Sequence, residues 1–243
     1  MIAFNTFGLR AKSVFEIFSV FKEFKFDALA LYSAHAEQWL ASKSQVKSPI
    51  INYCVLVLNP GDILLPKSEL PSRIRKIQSL CCNLITVIPG PSWARIRNWH
   101  VELAKDLDSL AQLSNELRFA IEPLSKSAQG FSCLTSLSDA LKVVEISNAN
   151  LILDTFHLPS NQILSLNSDI IQRISSVHLS DTPDFVSREY PGRGVLPLRA
   201  IINSLIAKSY RGYYEIEVFG QRSYRNVTKH LTQAYLSAQK LFK

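Results

Sequence analysis

The stretch NANLILDTFHLPS, residues 148–160, ends an apolar run on Asp154 and sets His157 three residues later. A strand that only packs has no use for a carboxylate and an imidazole at its end; a strand that delivers ligands to a site does. Three other runs finish in a similar way. AIEPL carries Glu122, VHLSDTPD carries His178 followed by Ser180 and Asp181, and YYEIEVF carries Glu215 and Glu217. The last two alternate onto one face of an extended chain. Taken singly, each has a structural reading. Asp154 or Asp181 would cap a turn, His157 would be a hydrogen-bonded loop histidine, and a lone glutamate would face solvent or a lysine. Together they form a mixed oxygen and nitrogen donor set. Carboxylates packed at one place repel one another unless a cation or a proton sits among them. Such a set suits a divalent ion such as Mn, Zn, Co or Mg, with room for water or substrate oxygens.

The elements that must position these residues alternate from end to end. IAFNTF (2–7) reads as a strand, followed by a helix over 13–24 with apolar Val14, Phe15, Phe18 and Phe21. FDALALY (26–32) leads to a helix over 34–46, and PIINYCVLVL (49–58) closes on the turn NPGD. A helix over 68–80 precedes NLITVIPG (83–90), and a long periodic helix over 93–115 precedes RFAIEPL (118–124). A helix over 134–147 leads to NLILD (150–154), and a short helical segment over 163–172 leads to ISSVHLSD (174–181). Past EYPGRG come a helix over 198–208, the strand YYEIEVF (213–219) and an amphipathic helix over 223–241. Eight strands alternating with eight helical segments in 243 residues predict an α/β chain folded as a single (β/α)8 TIM barrel, one domain over 1–243. An open doubly wound sheet would carry a glycine-rich turn after the first strand, and FNTFGLRAKS has one glycine there. In a barrel, the ends of the fifth to eighth strands, where Glu122, Asp154, His178 and Glu215/Glu217 fall, lie at the catalytic mouth.

Composition narrows the classes. The chain is 47% hydrophobic and 19% charged, with no apolar run long enough for a membrane span and no signal-like start; a cytoplasmic protein without a membrane partner is the expectation. The formal charge of +7 comes from scattered basic residues at helical spacing, which read as solvated faces rather than a nucleic-acid patch. Cys54, Cys81, Cys82 and Cys133 have no metal-knuckle spacing and read as reduced, mostly buried thiols.

On AIEPL, LILDTFHL, VHLSDTPD, REYPGRGVLP and GYYEIEVF, the sequence resembles the xylose-isomerase-like barrel superfamily, and within it the sugar isomerase/epimerase group that includes inosose isomerase. The resemblance runs over essentially the whole chain. It implies metal ligation by Glu122, Asp154, His178 and Glu217, with Glu217 taken over Glu215 because it occupies the glutamate of the family's E-V-F ending. It also implies substrate contacts from His157 and Arg188, and Glu122 and Glu217 as the acid and base pair. The implied reaction is proton abstraction next to a carbonyl of a sugar or polyol-derived ketone, through a metal-stabilised enediolate. A homo-oligomer is compatible with the chain.

Three other readings stand beside it. A lyase of the same fold, similar to 3-dehydroshikimate dehydratases, would share the first step and then lose a β-hydroxyl. Arg188, Arg193 and Arg95 in the pocket would favour its acidic substrate, although Arg193 between two glycines reads equally as a loop anchor. A nuclease resembling the apurinic-site endonucleases needs further histidines. His35 follows the second strand, but the third ends in VLNPGD and neither Asp181 nor Asp184 is followed two residues later by histidine. A barrel that keeps its ligands without catalysis is the last. The pattern departs from its relatives at Ala30, where they often carry a glutamate, and at Ala128, where some ketohexose epimerases have a carboxylate. Both predict an altered substrate pocket. Trp93 reads equally as pocket wall and as core.

Overall fold

The structure, a computed structural model, describes residues 1–42, 50–62, 69–220 and 225–243. The eight strands are β1 (Ile2–Asn5), β2 (Ala28–Tyr32), β3 (Ile50–Leu58), β4 (Leu84–Pro89), β5 (Arg118–Ile121), β6 (Asn150–Asp154), β7 (Ile174–Leu179) and β8 (Tyr213–Ile216). Each pairs in parallel with the next and β8 returns to β1, so the sheet closes as the expected TIM barrel. Closure removes every free sheet edge and gives each strand one inward and one outward face.

Nine α-helices surround it among the described residues: α1 (Val14–Phe21), α2 (Ser33–Ala41), α3 (Leu70–Gln78), α4 (Trp99–Gln112), α5 (Leu137–Glu145), α6 (Ser160–Ser165), α7 (Ser168–Gln172), α8 (Leu198–Ala207) and α9 (Val227–Leu241). Their starts follow local chemistry. Ser13 accepts from the Phe15 N–H, Ser136 from Asp139 and Asn226 from Lys229, each satisfying an N–H that the first helical turn leaves without a partner. In α1, Val14, Ile17, Phe18 and Phe21 form the buried stripe that 3.6-residue periodicity demands. Burying such side chains contributes roughly 1.5–3 kcal/mol each.

Two predicted helices are interrupted. The segment over 93–115 begins as a 3-10 turn (Pro91–Arg95), and α4 starts only after Asn98, whose φ of 57° lies in the left-handed region. A left-handed residue cannot continue a right-handed helix, although the apolar spacing runs across it. The segment over 163–172 is two short helices, with Asn167 capping the second. Val46, Ser68 and Ser223, at the ends of three predicted helices, lie outside the described residues.

The outward strand faces, with Phe4, Leu29, Leu31, Ile85, Val87, Leu151, Leu153 and Val177, meet the helices in one large apolar core. Inside the barrel the floor is two small clusters, Ala3, Ala28 and Ile51 on one side and Leu84, Ala120 and Ile152 on the other. Polar residues stand above that floor. All four cysteines are free: Cys54 and Cys82 are buried, Cys133 half-buried and Cys81 exposed. No helix among the described residues is long and apolar enough to cross a membrane.

Candidate metal centre

Strand register delivers the site. Asp154 ends β6 and pairs in register with His178 of β7, which pairs in turn with Glu215 of β8. Glu122 follows β5 by one residue and Glu217 follows β8 by one, two residues beyond Glu215. One donor atom from each of Glu122, Asp154, His178 and Glu217 lies within 4.8 Å of all the others, and all four residues are buried. Donors that share one ion with bonds of about 2.1 Å stand at most roughly 4.2 Å apart, so the four would reach a common ion after a small inward adjustment.

His178 is the hub. Its Nδ1 is 3.1 Å from Glu122 Oε1 and 3.6 Å from Glu217 Oε2, while its Nε2 is 3.2 Å from Glu215 Oε2. The last contact is an ion pair whose N–H lies off the hydrogen-bond line. Arg188 enters from the segment between β7 and α8. Its Nη2 donates to Asp154 Oδ2 at 2.6 Å, and its Nη1 donates to Ser180 Oγ at 2.9 Å and lies 3.2 Å from Glu217 Oε2. The guanidinium is held between the rings of Phe156 and Phe219, 4.6 and 4.4 Å from their centroids. Nη2 also reaches His157 Nε2 at 3.1 Å. Since guanidinium only donates, Nε2 accepts and the His157 hydrogen sits on Nδ1, 3.2 Å from Ser125 Oγ.

Charge supports a cation. Four buried carboxyl groups, those of Glu122, Asp154, Glu215 and Glu217, face one guanidinium and His178. With the imidazole protonated, two negative charges are still uncompensated; an ion bound to the neutral imidazole would meet three, so the pocket favours a divalent cation. Protons fill part of that deficit. Burial opposes a charge on His178, but Glu122, Glu217 and Glu215 outweigh it and hold the imidazole well above its usual range. Burial, helped by Glu122 and Asp154, lifts Glu217 to about 7 against His178 and Arg188. Burial also acts on Asp154, where Arg188, His157 and His178 overcome it and hold the carboxyl at about 2. Burial lowers His157, the direction that suits its acceptor role at Nε2. The donor set thus fits a divalent ion: hard oxygens with one imidazole, in a buried pocket of excess negative charge.

Above the donors opens a cavity of about 220 Å³, lined among the described residues by Phe7, Val55, Ile88, Leu124, Phe131 and Phe219 with Glu122, His157, Arg188 and Glu217. Val55 reaches it from a bulge in β3 at φ 72°, a conformation unusual for a β-branched side chain. Ala128 also lines it, so the predicted difference there falls in the pocket. Ala30 instead lies deeper, in register between Asn5 and Asn52.

Other sequence candidates do not join the site. His35 has Nδ1 on Thr6 Oγ1 and Nε2 on the Lys12 carbonyl, so neither nitrogen is available as a ligand. Arg193 bonds Gln233 of α9 and lies over the Tyr190 ring, as the loop-anchor reading has it. Arg95 is exposed. Trp93 is core, its Nε1 donating to the Leu58 carbonyl. Asp181 accepts from the backbone N–H groups of Thr182, Gly192 and Leu196 and so ties down the PGRG turn beside Arg188. The contacts of Ser125, Ser180 and Glu215 have no motif behind them; the one advance signal is that Glu215 shares a face with Glu217.

The family model for the xylose isomerase-like TIM barrel matches residues 70–242. The chain belongs to that family. Inosose isomerase of Halalkalibacterium halodurans is 29% identical over 104 residues, 38% of this chain, and the match spans 37% of that relative's length. Among solved structures, the IolI protein with a bound zinc atom superposes with a TM-score of 0.80 at 15% identity, over 99% of this chain and 97% of that one. D-psicose 3-epimerase from Clostridium cellulolyticum H10, solved with D-tagatose, gives 0.70 at 13% identity, over 99% and 97%. At such identities the likeness to these xylose isomerase-like barrels is one of fold.

Proposed function

We propose that the chain is one catalytic domain working as a divalent-metal-dependent isomerase or epimerase on a sugar or polyol-derived ketone. The observation that carries this is the convergence of Glu122, Asp154, His178 and Glu217 within 4.8 Å beneath a cavity that also holds His157 and Arg188. These four residues would hold the ion, which supplies Lewis-acid stabilisation of negative charge developing on a substrate oxygen. Glu122 and Glu217 come from strands three apart around the barrel. Each has a second oxygen for removing or returning a proton at the carbon beside the carbonyl. Arg188 and the Nδ1–H of His157, which faces Ser125 Oγ, are the donors at the cavity wall that would orient the substrate oxygens. Phe7, Leu124, Phe131 and Phe219 pack against the carbon skeleton and exclude water. The relatives point the same way: an inosose isomerase by sequence and sugar epimerases by fold.

The test is elemental analysis of wild type and Glu217→Ala purified side by side, followed by a screen of ketohexoses and inososes in deuterated water. The reading expects near-stoichiometric Mn, Zn or Co that the variant loses, and deuterium entering the carbon beside the carbonyl. A wild type that holds no ion and takes up none on reconstitution ends it.

A further inference from the structure

Glu215 is the interior carboxylate that the four-donor cluster leaves out. It is fully buried, lies a layer below the cavity and is not part of its lining. Both its oxygens are held. Oε2 accepts from Asn5 Nδ2 at 3.0 Å and Oε1 from Asn52 Nδ2 at 3.0 Å. Asn52 is braced in turn by reciprocal bonds with Thr86, at 2.9 and 3.1 Å. Side chains from β1, β3 and β4 therefore fix a carboxylate of β8 at the level of His178, its register partner in β7. A carboxylate at that depth is costly to desolvate, and hydrogen bonds return only part of that cost. Packing alone gives no reason to keep it.

We propose that Glu215 is a positioning residue for the metal centre: clamped by Asn5 and Asn52, it takes the Nε2 side of His178 and so leaves Nδ1 as the ring nitrogen presented to Glu122 and Glu217. A ligating imidazole is oriented by the partner of its other N–H, and removal of such partners typically weakens metal binding 10- to 100-fold. The inference rests on the metal-centre reading above.

The experiment is Co²⁺ affinity, measured by chelator competition on the full chain, for wild type, Glu215→Gln and the near-isosteric Glu215→Met. Metal-free melting temperatures are recorded alongside. The expected result is affinity weaker by about 10- to 100-fold, more for Met than for Gln, with metal-free melting within a few degrees of wild type. In the Co²⁺-loaded wild type, proton NMR should show a shifted, slowly exchanging imidazole N–H. It should be lost or in fast exchange in the Met variant. Wild-type affinity in both variants, or no slowly exchanging N–H in the wild type, overturns the proposal. The wild-type spectrum decides even if a variant misfolds. A wild type that binds no Co²⁺ removes the metal centre and this inference together; variants that bind as tightly as wild type remove this inference alone.

Discussion

Arg188 Nη2 stands 2.6 Å from Asp154 Oδ2 while its Nη1 stands 3.2 Å from Glu217 Oε2, so one buried guanidinium joins two of the four converging donors. Removing it leaves both carboxylates facing Glu122 with less positive charge to offset them. Arg188→Met should destabilise the metal-free protein by about 3–5 kcal/mol, the usual cost of stripping one partner from a buried pair. Urea denaturation in the presence of a chelator measures this. Added divalent ion should recover much of the loss, because it supplies the missing charge. Arg188→Lys should not rescue it, since an ammonium cannot span two carboxylates as the planar fork does. Wild-type stability in the chelated Met variant would mean that protons alone hold the cluster.

The loop that presents Arg188 hangs on Asp181. Its carboxylate accepts three backbone N–H bonds, and an antiparallel bridge between Asp181 and Glu189 brings the chain back toward the barrel. A methyl group at Gly194 would stand 2.3 Å from the Thr182 carbonyl oxygen, so the turn packs too tightly to adjust. Asp181→Ala should cost about 1–3 kcal/mol, chiefly by leaving the buried Thr182 N–H and the half-buried Leu196 N–H without their acceptor. It should also lower turnover more than it lowers metal content, because Asp181 supports Arg188 and not a ligand. Equal losses of both would argue that the loop holds the whole centre.

A separate buried histidine sets an acid limit. His230 of α9 is fully buried, with Nδ1 at 2.6 Å from the Tyr190 hydroxyl, and burial lowers it to about 4. The folded protein therefore resists a proton that the unfolded chain accepts below about 6.5. Stability from this group is complete above 6.5 and is lost as pH falls from there to about 4, by on the order of 3 kcal/mol. His230→Phe should flatten the stability profile across that window relative to wild type. Parallel profiles for the two proteins from pH 7 to 4 would show that His230 does not set the slope.

The barrel was legible because short apolar runs alternate with helical periodicity along the whole chain, and Asp154 and His178 stand where two of those runs meet the mouth. The roles of Glu215 and Glu217 were not separable by spacing, since both sit on the same face. What divides them is height: Glu215 is level with His178 and enclosed by Asn5 and Asn52, residues at least 160 positions away in the chain. The contact of Arg188 with Asp154 depends on a loop folding back through Asp181, and no local pattern encodes that. Trp93 was ambiguous for a similar reason. An indole after a strand faces the pocket or the core according to which carbonyl its N–H finds, here Leu58. The break at Asn98 was hidden because apolar periodicity continues on both sides of one left-handed residue.

On the proposed function, His157 separates holding an ion from using it. Its Nε2 is 3.8 Å from Asp154 Oδ2 and takes a bond from Arg188, while the ring lines the cavity. It belongs to the wall above the donors and not to their set. His157→Ala should therefore keep wild-type metal stoichiometry and lower turnover by roughly 10²–10³, the range seen when one polarising donor is lost. Arg188 would lose an acceptor for Nη2 but keep Asp154, Ser180 and Glu217, so the fold should lose no more than about 1–2 kcal/mol. Elemental analysis, denaturation and initial rates on the same preparation test the three parts. Loss of metal with the ring would make His157 a fifth support of the ion. Retention of metal with full activity would leave Arg188 to orient the substrate without it.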